Sequence, residues 1–213
     1  MSLVVLCAGG HARVVIEALR SRGARPTAVT DRDSARKGSF LGGIPIIGSD
    51  EDVLAMKAET VELANGLGNR ASRSSPGLAG RRDLFDRFAA RGFAFPVITH
   101  LSAVIASDVT PGEGAQVMAG AIIQPGARIG RNVLINTRAV VEHDCHVGDH
   151  SHIAPGAVLC GGVLVGEGSH VGAGAIILAG VNLGAGSVVA AGAVVATDVT
   201  AGSFAGGEWD NRP

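Results

Sequence analysis

The sequence predicts an α/β protein in two parts: strands and helices alternating over residues 1–98, a parallel β-helix over 99–200, and a tail at 201–213. Three observations carry this. An aliphatic residue returns every six positions through the C-terminal half. Aromatic residues make up 3% of the chain, with no Tyr, and none lies between Phe95 and Phe204, so that core must be built from stacked small aliphatics. The first thirty residues read strand, turn, helix, strand.

Leu3–Leu6 suits a strand, Gly9-Gly10 a tight turn, and Val14, Val15, Ala18 and Leu19 the buried face of a helix. A second strand, Pro26–Thr30, ends at Asp31, 22 residues after Gly9. This is a Rossmann-like βαβ unit with an acid where nucleotide-binding folds meet ribose. The G-x-G-x-x-G fingerprint is absent, so no dinucleotide cofactor is expected, and the glycines also suit a plain turn. Further strands are expected at Ile44–Ile47 and Val61–Ala64, then the loop Asn65-Gly66-Leu67-Gly68-Asn69. A flexible surface insert at 72–80 precedes a helix over Arg81–Arg91, and Phe93–Ile98 leads into the repeat.

Stepping by six from Val117 meets an aliphatic side chain at every position through Val195. Four residues beyond each of these is Ala, Val, Ser or Cys, from Ala121 to Val199. The phase extends backwards through Pro111 and Ile105 to Thr99. Neither a helix nor an alternating strand has a period of six, whereas a solenoid with one short β-segment and one turn per hexad does. The aliphatic points inward, the small residue fits the corner, and Gly, Asn or Asp supply positive φ. GDHSHIAPGA (148–157) returns as GEGSHVGAGA (166–175), an echo at 18 residues.

A formal net charge of −1 gives no reason to expect nucleic acid or an anionic membrane as partner. Residues 1–98 hold fourteen Lys+Arg against ten Asp+Glu, and 99–213 hold four against nine. A mildly basic first half is compatible with a phosphorylated ligand. Three cysteines without CxxC spacing suggest neither a disulfide framework nor a zinc finger. No apolar run reaches membrane-spanning length, and a reduced, cytoplasmic protein is expected.

Five of the seven histidines, His143, His146, His150, His152 and His170, crowd into a short stretch of hexads. None takes the inward or the corner slot, so all should lie on the outside of the coil, where neighbouring subunits would meet. His146 and His150 fit ordinary solvated surface residues. His143 lies between Glu142 and Asp144, which makes it a candidate general base with a carboxylate to fix its tautomer.

The hexads resemble the left-handed β-helix of the hexapeptide acyltransferases. GGHARVV (9–15), Asp31, GIPIIG (43–48), GLGNRASR (66–73), FPVITHLSAVI (95–105) and INTRAVVEHDCHVGDHSHIAPGA (135–157) together resemble the sialic-acid-operon and nucleotide-amino-sugar N-acetyltransferases. That resemblance implies a homotrimer with acetyl-CoA between two β-helices and a nucleotide-linked amino sugar, such as a 4-amino-4,6-dideoxyhexose for surface glycans, on the N-terminal domain. It implies His143 as base and Asp144 as its orienter, Glu142 and Asn136 near the sugar, and His152 and the Cys160-Gly161 turn at acetyl-CoA. It further implies Gly9, Gly10 and His11 near phosphate and Asp31 near base or ribose. The chain departs from the family at His100-Leu101, where His-Pro is usual, and at AGGEWDNRP (205–213), where Gly-x-Pro-Ala-Lys is usual. Three alternatives stand beside N-acetylation: sugar or sialic acid O-acetylation, a zinc carbonic anhydrase using stacked histidines such as His152 and His170, and a nucleotide-sugar-binding protein without catalysis. No metal is expected on the favoured reading.

Overall fold

The computed structural model describes residues 1–69 and 79–206. The insert expected at 72–80 lies outside them except for its last two residues, and so does the C-terminal segment 207–213. Five strands form the first sheet: β1 (Ser2–Leu6), β2 (Ala28–Thr30), β3 (Phe40–Leu41), β4 (Ile44–Gly48) and β5 (Val61–Asn65). Their order is β3-β4-β2-β1-β5, parallel throughout except for the β3–β4 hairpin. That hairpin turns on Gly42-Gly43, both at positive φ (55° and 77°), the backbone that a two-residue turn of right-handed strands demands. Because β2 lies on one side of β1 and β5 on the other, the connection reverses direction at β1/β5. A crevice forms at the carboxyl ends of such a strand pair.

Helix α1 (Gly10–Ser21) begins directly after the extended Gly9. Its buried face is Ala12, Val15, Ile16, Ala18 and Leu19, while Val14, expected inside, is 39% exposed. The i, i+3, i+4, i+7 spacing of Ala12, Val15, Ile16 and Leu19 puts Val14 on the opposite side of the helix. Helix α2 (Asp50–Leu54) was not expected, although Ser49 and Asp52 cap it reciprocally. Helix α3 (Ala79–Ala89) buries Phe85 and Phe88 against β1, β5, Phe93 and Phe95.

From Ile98 the chain winds as a three-faced parallel coil. Strands two residues long stack on their counterparts 18 positions away, as Leu134–Ile135 does on Gln116–Val117 and His152–Ile153. One face has seven strands, one six and one four. The inward aliphatics, from Val117 to Val195, form one continuous core with the corner residues, each worth about 1.5–3 kcal/mol of burial. No strand forms at the Pro111 slot, where a proline has no N–H for the ladder. Phe204–Ala205 pairs with Val188–Val189, so the coil runs past residue 200. Ile98, Met118 and Leu134 share a cluster with α1 and β1, and this contact seats the first sheet on the seven-stranded face.

Each corner from 114 to 192 carries one residue at positive φ. Ten of these positions between 114 and 192 are glycine, but four in succession are Asn132, Arg138, Asp144 and His150 (φ 52–61°). Left-handed backbone costs a residue with a side chain on the order of 1 kcal/mol or more. The run of exceptions overlaps the histidine-rich hexads and takes in His143, His146 and His150.

Candidate active site

His143 stands on the corner after Val140–Val141, with its side chain 64% exposed. Its Nδ1 lies 2.9 Å from Asp144 Oδ2. A carboxylate only accepts, so Nδ1 carries the proton and Nε2 keeps a free lone pair. Left-handed backbone at Asp144 (φ 59°) allows neighbouring side chains to meet in this way, and Asp144 lies over the bare face of Gly126 in the preceding coil.

Gly161 occupies the equivalent corner one coil later. A Cβ there would sit 2.6 Å from both Cε1 and Nε2 of His143, so the reactive edge of the imidazole lies directly over this glycine. The Cys160 N–H is taken by Ile177 O and the Gly162 N–H by His143 O, whereas the Gly161 N–H bonds to none of the described residues. The imidazole edge thus adjoins a residue whose N–H has no partner among the described residues. Beside it, an open cleft of about 310 Å³ is lined by Gly126, Arg128, Asp144, Cys145, His146 and Leu164. His146 is exposed, as expected.

The other histidines differ from the expectation of an outer, subunit-facing row. His150, His152 and His170 are buried within this one chain, at 8%, 5% and 6% exposure. His150 is not a solvated surface residue. Its ring meets Phe85 edge-on at 5.7 Å, its Nδ1 is 3.1 Å from Asn132 Nδ2, and its Nε2 is 3.7 Å from Asp86 Oδ1. Burial lowers its pKa. The coil's outer face is here an inner face, because α3 packs on it.

His152 and His170 stack as the 18-residue spacing requires, with ring centroids 4.8 Å apart. Asn136 Oδ1 accepts the Thr137 N–H, so its Nδ2 donates to His152 Nε2 at 3.1 Å. His152 must then carry its proton on Nδ1, and that donor is buried without a partner. A buried orphan donor of this kind suits a ligand's acceptor. Burial first, then neighbouring His170, Arg81 and His11, hold the His152 pKa well below that of free imidazole. His170 is lowered to about 4 by burial alone. Among the described residues no three His, Cys, Asp or Glu side chains are grouped to hold a metal.

At the first sheet, Gly9 and Gly10 start α1, and Asp31 follows β2 with its carboxylate paired to Arg36 and capping the Asp33 N–H. Glu142 flanks His143 without a hydrogen bond to it. Three further side chains, absent from the sequence expectations, lie where the first sheet meets the coil. Arg81, 1% exposed, donates to the carbonyls of Asn65 and Leu67, and burial lowers its pKa to about 9. Asn132 meets Asn65, and Gln116 bridges Asn65 and His11. Asn132 was findable, since it breaks the glycine pattern at the corners. Gln116 and Arg81 carry no local signal.

A coil of six-residue repeats with an exposed histidine–carboxylate pair over a bare glycine defines a hexapeptide-repeat transferase. The family models agree: residues 126–161 match the bacterial transferase hexapeptide (six repeats), and residues 2–75 the PglD N-terminal domain. No curated protein sequence matches the chain. Among solved structures, it is similar to perosamine N-acetyltransferase from Caulobacter crescentus in complex with CoA and GDP-perosamine, with 35% identity, TM-score 0.87 and coverage of 96% of this chain and 92% of that one. It is likewise similar to the acetyltransferase domain of PglB from Neisseria gonorrhoeae, with 34% identity, TM-score 0.85 and 96% of both chains covered. WeeI from Acinetobacter baumannii follows at 25% identity, TM-score 0.80 and 97% of both chains. The chain belongs to the hexapeptide-repeat sugar acetyltransferases with a PglD-type N-terminal domain, and its coil is accordingly a left-handed β-helix.

Proposed function

We propose that this enzyme transfers the acetyl group of acetyl-CoA to the amino group of a nucleotide-linked 4-amino-4,6-dideoxyhexose, in the cytoplasm, for surface glycan synthesis. The observation that carries the reading is the His143–Asp144 pair over Gly161, on a chain so similar to an enzyme solved with CoA and GDP-perosamine. Acetyl-CoA supplies a thioester carbonyl. His143 Nε2 takes the proton from the sugar amine as nitrogen attacks, and Asp144 stabilises the imidazolium; the tetrahedral adduct then breaks its C–S bond, and the departing CoA thiolate takes the proton back from His143 and leaves as the thiol. The Gly161 N–H donates to the developing oxyanion, and the orphan Nδ1–H of His152 binds acetyl-CoA. Gly9, Gly10, His11 and Asp31 hold the nucleotide, with Asn136 and Glu142 toward the sugar.

The six-stranded face supports assembly. Its outward row is Val104, Ile122, Val140, Val158, Ile176 and Val194, wholly aliphatic, with Val104 and Val194 60% and 64% exposed. Covered by a second copy, this row makes the homotrimer and brings a neighbour toward the His143 corner. All three thiols are free, in keeping with a reducing compartment. Among the described residues no helix is long and apolar enough to cross a membrane.

The test is CoA thiol release with GDP-perosamine and with UDP-linked amino sugars, followed by mild hydroxylamine, which removes O-acetyl but not N-acetyl groups. A hydroxylamine-stable product is expected. A labile one would make the enzyme an O-acetyltransferase, and no release with any nucleotide amino sugar would overturn the proposal.

A further inference from the structure

Gln116 belongs to the coil, yet its side chain works at the first sheet. It is 1% exposed, on the strand Gln116–Val117 of the seven-stranded face, between Ile98–Thr99 and Leu134–Ile135. Its Nε2 donates to the Asn65 carbonyl at 2.8 Å, and its Oε1 lies 2.9 Å from His11 Nε2. These two contacts settle the amide's orientation. A backbone carbonyl can only accept, so the NH₂ end must face Asn65, and Oε1 must face His11. His11 Nε2 must then be the protonated nitrogen, leaving Nδ1 as a bare lone pair with no partner among the described residues.

We infer that Gln116 is a positioning residue that locks His11 as a neutral Nε2–H imidazole, so that His11 offers the nucleotide sugar a hydrogen-bond acceptor at Nδ1, to be met by a hydroxyl or N–H of the ligand and not by its phosphates. The inference rests on the proposed nucleotide-sugar reading of the first sheet.

The surroundings agree with the lock. His11 sits in the first turn of α1, and Asn65 ends β5, so Gln116 spans the β1/β5 crevice where such sheets take ligands. The loop after β5 presses on the same place. A Cβ on Gly66 would lie 2.4 Å from Leu6 O, and one on Gly68 would lie 3.2 Å from the Cβ of His11. The Asn65-Gly66-Leu67-Gly68 path therefore runs in close contact with the end of β1 and with His11, an approach that glycine's missing side chain allows. The pKa of His11 falls to about 4, through burial first and the Arg81 cation second, against the opposing bond to Gln116. A ring that stays neutral cannot serve a phosphate as a counter-charge, and a lone pair facing a phosphate oxygen would repel it.

Two-bond proton–nitrogen correlation on protein labelled at the histidine rings, with His11 assigned through His11→Gln, reads the lock directly. In the wild-type protein at pH 7.5 the expected pattern is pyrrole-like Nε2 and pyridine-like Nδ1, with Nδ1 moving when GDP-perosamine or GDP is added. Gln116→Leu should bring back a tautomer mixture, weaken GDP-perosamine about 10-fold and raise its KM alike, while kcat and acetyl-CoA affinity stay within about twofold. Gln116→Glu should draw a proton onto His11 and give the imidazolium pattern. A pyrrole-like Nδ1 or an imidazolium in the wild type overturns the inference, as does unchanged GDP-perosamine affinity in a folded Gln116→Leu enzyme. If the wild type acetylates no nucleotide sugar, the proposed activity falls, and the ring nitrogens still decide the lock.

Discussion

Gly161→Ala separates the position of the proposed base from everything else at the site. The added Cβ would lie 2.6 Å from Cε1 and Nε2 of His143, where ordinary carbon contacts need about 3.5 Å, so the ring must retreat by about 1 Å. The fold should bear this easily. Gly161 does not have positive φ, and His143 is an exposed side chain free to move outward, so the stability loss should stay below about 1 kcal/mol. The Gly161 N–H and the His143–Asp144 pair both survive. A misplacement of about 1 Å at a reacting group costs on the order of 10²-fold in rate, or about 2.7 kcal/mol. We expect kcat for acetyl transfer to drop by about that factor, with little change in acetyl-CoA affinity. His143→Ala should lose about 10²–10⁴-fold, and adding Gly161→Ala to it should cost almost nothing more, because the glycine acts through the ring. The assay is thiol release under saturating substrates, paired with urea unfolding. Full turnover in folded Gly161→Ala, or full additivity in the double variant, would refute the argument.

Three further outcomes are expected. His11 and His170 titrate near 4 in the folded state and near 6.5 unfolded. The unfolded chain thus binds more protons between those values, and stability present above pH 6.5 is lost as pH falls. From pH 7.5 to 5.5 the loss should be about 1.3 kcal/mol per ring; urea midpoints at the two pH values check it, and a flat profile would mean that the rings titrate normally. Asp31→Asn should weaken nucleotide-sugar binding about 10-fold in calorimetry and leave acetyl-CoA binding intact, because the Arg36 contact loses its charge. Val158→Lys, in the outward aliphatic row, should turn a particle of about 64 kDa, three chains of 21.4 kDa, into monomers by light scattering.

The coil was legible because its information is one-dimensional: each hexad repeats the same slot, so phase alone fixes which side chains turn inward. The contact between His143 and Asp144 was legible for a similar reason, since the two are adjacent in sequence and a corner backbone lets them meet. Contacts between the halves were not. His11 and Gln116 are 105 residues apart, and Asn65 and Asn132 are 67 apart, with no periodicity linking them. The misplaced surface histidine, His150, shows the same gap, because its slot faces outward and only the packing of Phe85 makes that side an interior. Val14 is a smaller error of the same kind, an apolar residue on the wrong arc of its helix.

The four corners without glycine amount to a trade-off that can be measured. Selection for stability alone would favour glycine at all of them, since each of the others holds a strained left-handed backbone. Replacing Arg138, Asp144 or His150 by glycine relieves that strain while deleting a side chain, so backbone and function pull in opposite directions at one atom. A glycine scan of the corners, read for both melting temperature and turnover, would sort them without any ligand in hand. Where glycine raises Tm and lowers kcat, the side chain is held there for the reaction; where it lowers both, as expected at Asn132 with its contact to β5 and at His150 with its contact to α3, the side chain holds the two halves together.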